Sequence, residues 1–378
     1  MKNLDYFLQT PASLGYTFPA EWEPHAGTWF SWPRPEGISF PERHHAIPEN
    51  MARIIREITP RETVHINVPN HNYERIVTEQ LTRYGCPLKN IKFHHIRTNE
   101  NWCRDHGPAF VVNRAKKKMA IVDWGFNAWG GKYPPYGDDD LVPTHAAMEL
   151  GLKAFYPEKP GSKPWPTTGC KYERVKDRLD SFVIMEGGSV EFNGAGTVLT
   201  TTDCLLNKNR NPGLNKKQIE RYLKDYYGQK HVCWLTGGIE GDDTDGHVDD
   251  LARFISPTKL VMAIETRRKD VNYRVLQSAR RQAEKLRDQD GEPFEIIEIP
   301  MPKPVTVDGQ RLPATYVNFY FVNGALLVPT YRDKTNDRKA IEILQSHLPK
   351  HKVIGIDCTE LIWGLGSIHC LTQQQPII

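Results

Sequence analysis

An apolar hairpin, an amphipathic helix and one further strand recur along this chain, and no other feature restricts its fold as tightly. The first hairpin is AFVVNRAKKKMAIVDW, turning near Lys116, and the second is VIMEGGSVEFNGAGTVLTT, turning at Asn193-Gly194. The third, DDLARFISPTKLVMAIE, turns at Ser256-Pro257, and the fourth, YVNFYFVNGALLVPTY, turns at Asn323-Gly324. Asn-Gly is a favoured two-residue turn because both positions accept a positive φ. Helical periodicity follows, as in LNKKQIERYLKDYY (Leu214 to Tyr227) and VNYRVLQSARRQAEKLRDQ (Val271 to Gln289). A short apolar run such as HVCWL or KVIGI then closes the unit. A helix that returns the chain to a further strand places the fold in the α/β class.

A fifth hairpin is missing from the interior of the chain. Pairing the C-terminal SIHCLTQQ with GTWFSWP (Gly27 to Pro33) supplies it, closes a ring of five units and ties down both ends. On this reading residues 1–378 form a single domain, and Cys370 lies on a paired strand. The stretch YPEKPGSKPWPTTG (Tyr156 to Gly169) is expected to be a long surface loop and not a linker.

Polar residues stand in matching places on these units. Asp105 in NWCRDHGP, Glu186 in MEGGS, and His247 and Asp249 in DDTDGHVDD each precede a hairpin turn by about eight to eleven residues. Cys370 holds the comparable place in the fifth unit. In a closed ring of similar units, equal registers converge at one end of the axis. Glycines at 107, 187, 188, 246, 364 and 366 flank the set and permit close approach of the backbone to a small ligand. Strand alternation puts His247 and Asp249 on one face and separates His369 from Cys370, so His247 is the expected partner of the thiol.

One thiol, one imidazole and three carboxylates exceed what acyl transfer needs, since the acids would repel its developing oxyanion. They suit a guanidinium, which is planar, always charged and presents a fork of N–H donors. Two carboxylates can hold its edges while a thiolate attacks the central carbon. The histidine can then protonate the departing nitrogen and activate water, with the third acid beside it. This chemistry requires no metal and no cofactor.

The rest of the composition narrows the alternatives. A net charge of +3 over 378 residues offers no electrostatic case for nucleic acid or an anionic membrane. No apolar run approaches the length of a membrane span, and MKNLDYFLQTPASLGY lacks the apolar core of a secretory signal. Seven widely spaced cysteines without a CxxC pair read as reduced thiols of a cytoplasmic protein. Among them Cys86, Cys204, Cys233 and Cys358 read as packing residues. DDTDGHVDD fails as a calcium loop, because Gly241 and Ala252 fall at the first and last ligand positions.

WCRDHGP, FNAWGGKYPPYGDDD, MEGGS, DDTDGHVDD and GSIHCLTQQQ, in this order, resemble the agmatine deiminases of the guanidino-group-modifying superfamily, with bacterial-type peptidyl-arginine deiminases as close relatives. The likeness begins at FPAEWEPHAGTWFSWP and covers nearly the whole chain. It implies a five-bladed α/β propeller, the pentein fold, with pseudo-fivefold symmetry. It implies Cys370 as nucleophile, His247 as general acid and base, Asp105 and Asp249 as guanidinium ligands, and Glu186 as the carboxylate beside the histidine. It implies Trp102 as an aromatic wall of the substrate channel, agmatine as substrate, and a homo-oligomer. Arginine or peptidyl-arginine deimination remains an alternative, as does a thiol metallohydrolase. From another class comes a ring that binds cationic ligands without turning them over.

Substrate choice is read from charge. Lys132 is outnumbered by Asp138, Asp139 and Asp140 on one expected wall of the channel mouth, and by Asp242, Asp243 and Asp245 on the other. An acidic mouth favours a primary ammonium over a carboxylate. Asp243 is the expected ammonium contact. It is one methylene shorter than the glutamate of the family pattern.

Overall fold

The computed structural model describes residues 9–162 and 175–378. All four interior hairpins form as antiparallel pairs: Ala109–Asn113 with Lys118–Val122, Val190–Phe192 with Thr197–Thr201, Ala252–Ser256 with Lys259–Ile264, and Tyr320–Val322 with Ala325–Thr330. The second strand of each then pairs in parallel with a third: Lys153–Phe155, His231–Leu235, Glu295–Pro300 and Lys352–Asp357. A parallel partner needs a crossover. The helices Val142–Leu150, Lys216–Tyr227, Asn272–Ala283 and Lys334–His347 lie in those connections.

The fifth sheet closes as expected. Gln373–Pro376 pairs antiparallel with His25–Ser31, which pairs in parallel with Thr63–Asn67, and Ile91–His94 adds a fourth strand. The fold is therefore α/β, built on five mixed sheets of three or four strands. A separate two-stranded ribbon, Thr306–Val307 with Gln310–Arg311, stands apart from them.

Local chemistry explains several boundaries. Asn215 and Gln218 form a reciprocal capping box at the start of Lys216–Tyr227, and Gly228 ends that helix with φ 67°. Its buried residues Ile219, Leu223 and Tyr227 recur every four positions, so one stripe faces the sheet. The helix expected over 271–289 stops at Ala283. Asp288 accepts from the backbone N–H groups of Asp290 and Glu292 and turns the chain instead.

One placement differs from expectation. Cys370 lies not on a strand but in a single helical turn, Ile368–Leu371, and the paired strand starts at Gln373. The side-chain carbonyl of Asn318 accepts from the backbone N–H groups of His369 and Cys370, while Thr372 Oγ1 donates to the carbonyl of Ile368. These side-chain bonds curl the segment before it can extend. Half of the segment expected to be a surface loop, residues 163–169, lies outside the described residues, as do the first eight residues of the chain.

The sheets meet at Glu21, a buried residue of the N-terminal segment. Its carboxylate lies 3.2 Å from Arg104, 2.9 Å from Arg253 and 2.9 Å from His369 Nε2, and it accepts from Phe321 N at 2.9 Å. Arg253 also donates to Glu191 at 2.7 Å. Arg104 leads into the first interior sheet; Glu191, Arg253 and Phe321 lie in the next three; His369 leads into the closing strand. One carboxylate thus gathers all five units. No helix among the described residues is long and apolar enough to cross a membrane.

Candidate active site

The matching registers do converge, but on short helical turns that precede the strands. Asp105 sits in the turn Cys103–His106 and Cys370 in Ile368–Leu371. Glu186 leads directly into Gly187–Ser189, and His247 into Val248–Asp250, which contains Asp249. The reading of 247 and 249 by strand alternation is therefore incorrect in its cause. Both side chains nevertheless face the same space.

Distances define that space. His247 Nδ1 is 3.7 Å from Asp105 Oδ1 and 3.9 Å from Asp249 Oδ1. Cys370 Sγ is 3.8 Å from Asp249 Oδ2. Asp249 thus stands between thiol and imidazole. Asp105 is fixed on both oxygens, accepting from Gly188 N at 2.9 Å and from Trp129 Nε1 at 2.9 Å. A Cβ on Gly188 would lie 2.6 Å from His247 Nδ1, 2.9 Å from Asp105 Oδ1 and 3.1 Å from Asp249 Oδ2. Only glycine fits there.

Glu186, Cys204 and His247 bring ligand atoms within 4.8 Å of one another. Cys204 was expected to be a packing residue; it is buried, but its Sγ is 3.9 Å from Glu186 Oε2. These three could in principle ligate a metal, although Arg210 already donates to Glu186 at 2.6 Å and competes with any cation. A second such group, His71, Glu74 and His95, lies on the exposed side. Neither includes Cys370.

Burial and charge separate the protonation states. Burial, then Asp249, Asp250 and Asp105, push the Cys370 thiol well above its ordinary value. Burial works against charge on His247, but Asp105, Cys204 and Asp249 outweigh it and raise its proton affinity well above normal. Burial raises Asp105 to about 6, against the pull of His247 and with the push of Asp249 and Glu186. Burial disfavours the Asp249 carboxylate too, yet its bond to His369 Nδ1 holds it below the usual range. These directions favour a protonated thiol and a protonated imidazole on either side of Asp249.

A cavity of about 390 Å³ opens above Cys370 and Asp105, in the size range of small-molecule sites. Trp102 forms part of its wall, as expected, and donates from Nε1 to Ser39 Oγ at 2.8 Å. Gly364 and Gly366 line the cavity and also make room for this wall, because a Cβ on either would come within 2.8 Å of the Trp102 ring. Trp129 also lines the cavity, with φ 55° that a bulky residue seldom adopts.

The mouth is only partly as expected. Asp243 does line it, accepting from the Tyr133 hydroxyl. Asp139 and Asp140 are buried elsewhere: Asp139 accepts from Asn99 N at 2.8 Å, and Asp140 pairs with Arg178 at 2.7 Å. Asp138 pairs with Arg97 at 3.3 Å. Asp242 accepts from Thr244 N, and Asp245 is held by Arg210 and Lys132. Glu100 and Asp308 line the cavity in their place, and among its described lining residues there is no lysine or arginine.

Asn318 was missed by the sequence reading. It occupies in the fourth unit the place that Asp105, Glu186, His247 and Cys370 hold in theirs, two residues before Tyr320–Val322. Its amide donates to Cys370 Sγ at 3.1 Å and to Asp249 Oδ2 at 3.3 Å. Extending the register argument to YVNFYF would have found it. Glu21 had no such signal, since it belongs to no repeat.

Residues 17–376 match the family model of the Porphyromonas-type peptidyl-arginine deiminase. The chain is 36% identical to the agmatine deiminase of Pseudomonas aeruginosa (strain LESB58), over 97% of each chain. Among solved structures it resembles the agmatine deiminase of Enterococcus faecalis, with a TM-score of 0.83 and 31% identity over 98% of each chain. It also resembles the C. jejuni agmatine deiminase with substrate bound, with a TM-score of 0.80 and 32% identity over 95% of this chain and 96% of that one.

The electrostatics predict slow alkylation of resting Cys370. Its reaction with neutral iodoacetamide, followed by mass spectrometry of its peptide, should rise with a midpoint above the ordinary thiol value of 9.0. A midpoint below that value would mean that the three acids do not face the sulfur.

Proposed function

The chain belongs to the Porphyromonas-type peptidyl-arginine deiminase family, and from this membership and the site above we propose that it hydrolyses agmatine to N-carbamoylputrescine and ammonia. The observation that carries the substrate is the cavity lining: Glu100, Asp105, Asp243 and Asp308 face it, with no lysine or arginine among the described residues. Such a lining accepts a molecule that is cationic at both ends and gives a carboxylate no anchor. The fold is read as a five-bladed α/β propeller around Glu21, with residues 1–378 as one catalytic domain.

In this reading Asp105 and Asp249 take the guanidinium edges while Cys370 faces its central carbon. The arriving cation offsets the charge of the acids that hold the thiol protonated, so the sulfur loses its proton to solvent as substrate binds. The thiolate then adds to the carbon. Cleavage of a C–N bond releases ammonia, which takes its proton from His247, and a thiouronium remains on Cys370. Water, deprotonated by His247, attacks that carbon, the C–S bond breaks, and the proton of the new hydroxyl returns to the departing sulfur, leaving the neutral urea product, the thiol and the charged His247. Glu186 assists from its place beside His247. Net consumption is one water, with no redox step.

Cys370→Ala should abolish ammonia release from agmatine while the thermal midpoint holds, because the covalent route is lost and not merely slowed. Mass spectrometry of a quenched wild-type reaction should find the substrate carbon on this residue. Ammonia released by Cys370→Ala at the wild-type rate would remove the nucleophile from the scheme.

Asp249→Asn and Asp105→Asn should each weaken agmatine binding by about 2–5 kcal/mol, the range for removing one partner of a buried charge pair. Steady-state kinetics would show it as a fall in kcat/KM. Unchanged values in both variants would mean that the guanidinium lies elsewhere.

The two ends of the substrate can be tested apart. Asp243→Asn should raise KM for agmatine and leave an alkylguanidine lacking the amine unaffected. Wild-type arginine turnover as efficient as that of agmatine would move the assignment to an arginine deiminase. Binding of agmatine without any ammonia, with or without chelator, would make the chain a cation-binding module.

A further inference from the structure

Behind Asp249 lies His369, which the chemistry above does not use. Its Nδ1 is 2.6 Å from Asp249 Oδ2 and its Nε2 is 2.9 Å from Glu21 Oε2, and it is only 1% exposed. A neutral imidazole carries one N–H. Two ionised carboxylates at these distances are both satisfied only when each ring nitrogen holds a proton. Arg253 and Arg104, with His369 itself, keep Glu21 ionised in spite of burial. Burial with Arg104 and Arg253 nevertheless holds the proton affinity of His369 below its ordinary value, against Glu21 and Asp249, and a neutral ring serves Asp249 only as the tautomer with its N–H at Nδ1.

The consequence for Asp249 is geometric. A carboxylate torsion is soft, so its plane is set by its partners. Here Oδ2 receives both His369 Nδ1 and Asn318 Nδ2. Oδ1 is buried without any hydrogen-bond partner and lies 3.9 Å from His247 Nδ1, on the side of the reacting groups. One oxygen is fully engaged and the other is left vacant for a donor. The ring is itself fixed by Glu21, which Arg104, Arg253 and the backbone N–H of Phe321 hold in place.

We propose that His369, anchored by Glu21, is a positioning residue that turns Asp249 so that Oδ1 receives an N–H of the guanidinium. This rests on the reading of Asp249 as a guanidinium ligand and adds to it a residue that never touches substrate. The asymmetry of the imidazole makes the claim separable from packing. The amide nitrogen of an asparagine can stand where Nδ1 stands, and that of a glutamine where Nε2 stands. Both substitutions remove the ring, but only asparagine keeps the donor to Asp249.

The test is calorimetric titration in a Cys370→Ser background, where turnover cannot interfere. With agmatine, adding His369→Gln should weaken binding by about tenfold or more, as for loss of one hydrogen bond to a charged group. Adding His369→Asn should leave affinity within about threefold. In enzyme retaining Cys370, the same contrast should appear in KM more than in kcat. Equal losses in the two variants, or none in either, would overturn the proposal, because a packing role does not distinguish the two amides. Should His369→Gln not fold, Glu21→Asp reads the same chain: it keeps a charge for both arginines but withdraws from the ring by one methylene. It should weaken agmatine binding measurably, and unchanged affinity there would count against the proposal. Methylguanidine separates this inference from the choice of substrate. If the parent binds methylguanidine but not agmatine, only the agmatine reading fails, and the comparison of amides is made with methylguanidine. If it binds neither, both readings fail.

Discussion

The ion cluster around Glu21 is the interaction on which the molecule is arranged. Two guanidiniums, an imidazole and a backbone N–H converge on one buried carboxylate, and they come from units far apart in sequence. Burying these charges costs several kcal/mol per ion unless they are well paired, and losing one partner typically costs about 3–5 kcal/mol. Such a cluster adds less to stability than to uniqueness. A sheet displaced from this arrangement would leave an arginine or Glu21 uncompensated.

The same cluster reaches the candidate site at one remove. His369 carries its influence to Asp249, and Asn318 joins Asp249 to Cys370. Of the acids near the sulfur, Asp249 is held ionised, Asp105 titrates at about 6, and burial with its neighbours keeps Asp250 protonated well above the normal carboxylate range. Neighbouring carboxylates that differ in this way can coexist around an empty pocket without full mutual repulsion. Burial and the same acids raise the thiol as well.

Much of this was legible in the chain and some was not, for a physical reason. The hairpins were readable because turn chemistry is local: Asn193 Oδ1 accepts from the backbone of Ala195, Gly196 and Thr197, and Gly324 takes φ 74°. The convergence of Asp105, Glu186, His247, Asp249 and Cys370 followed from repetition alone. The single helical turns did not, since the turn at Cys370 exists through Asn318, a residue 52 positions away. Charge counting misjudged Asp138 to Asp140 in the same way. A run of acids looks solvated until Arg178 and two backbone amides are seen to claim Asp140 and Asp139. Asp308 went unnoticed because it lies on the ribbon at 306–311, outside the repeat.

The bond from Trp129 Nε1 to Asp105 Oδ2 joins a wall of the cavity to its floor. Aperture and charge are therefore one component. Widening the bore at Trp129 to admit a bulkier chain would release the carboxylate below it, and altering that carboxylate would free the indole to swing into the passage. New side-chain tolerance is easier to evolve or engineer from the other walls, at Trp363, Leu365 or the ribbon, which carry no such tether among the described residues. The scaffold thus has a fixed jaw and an adjustable one.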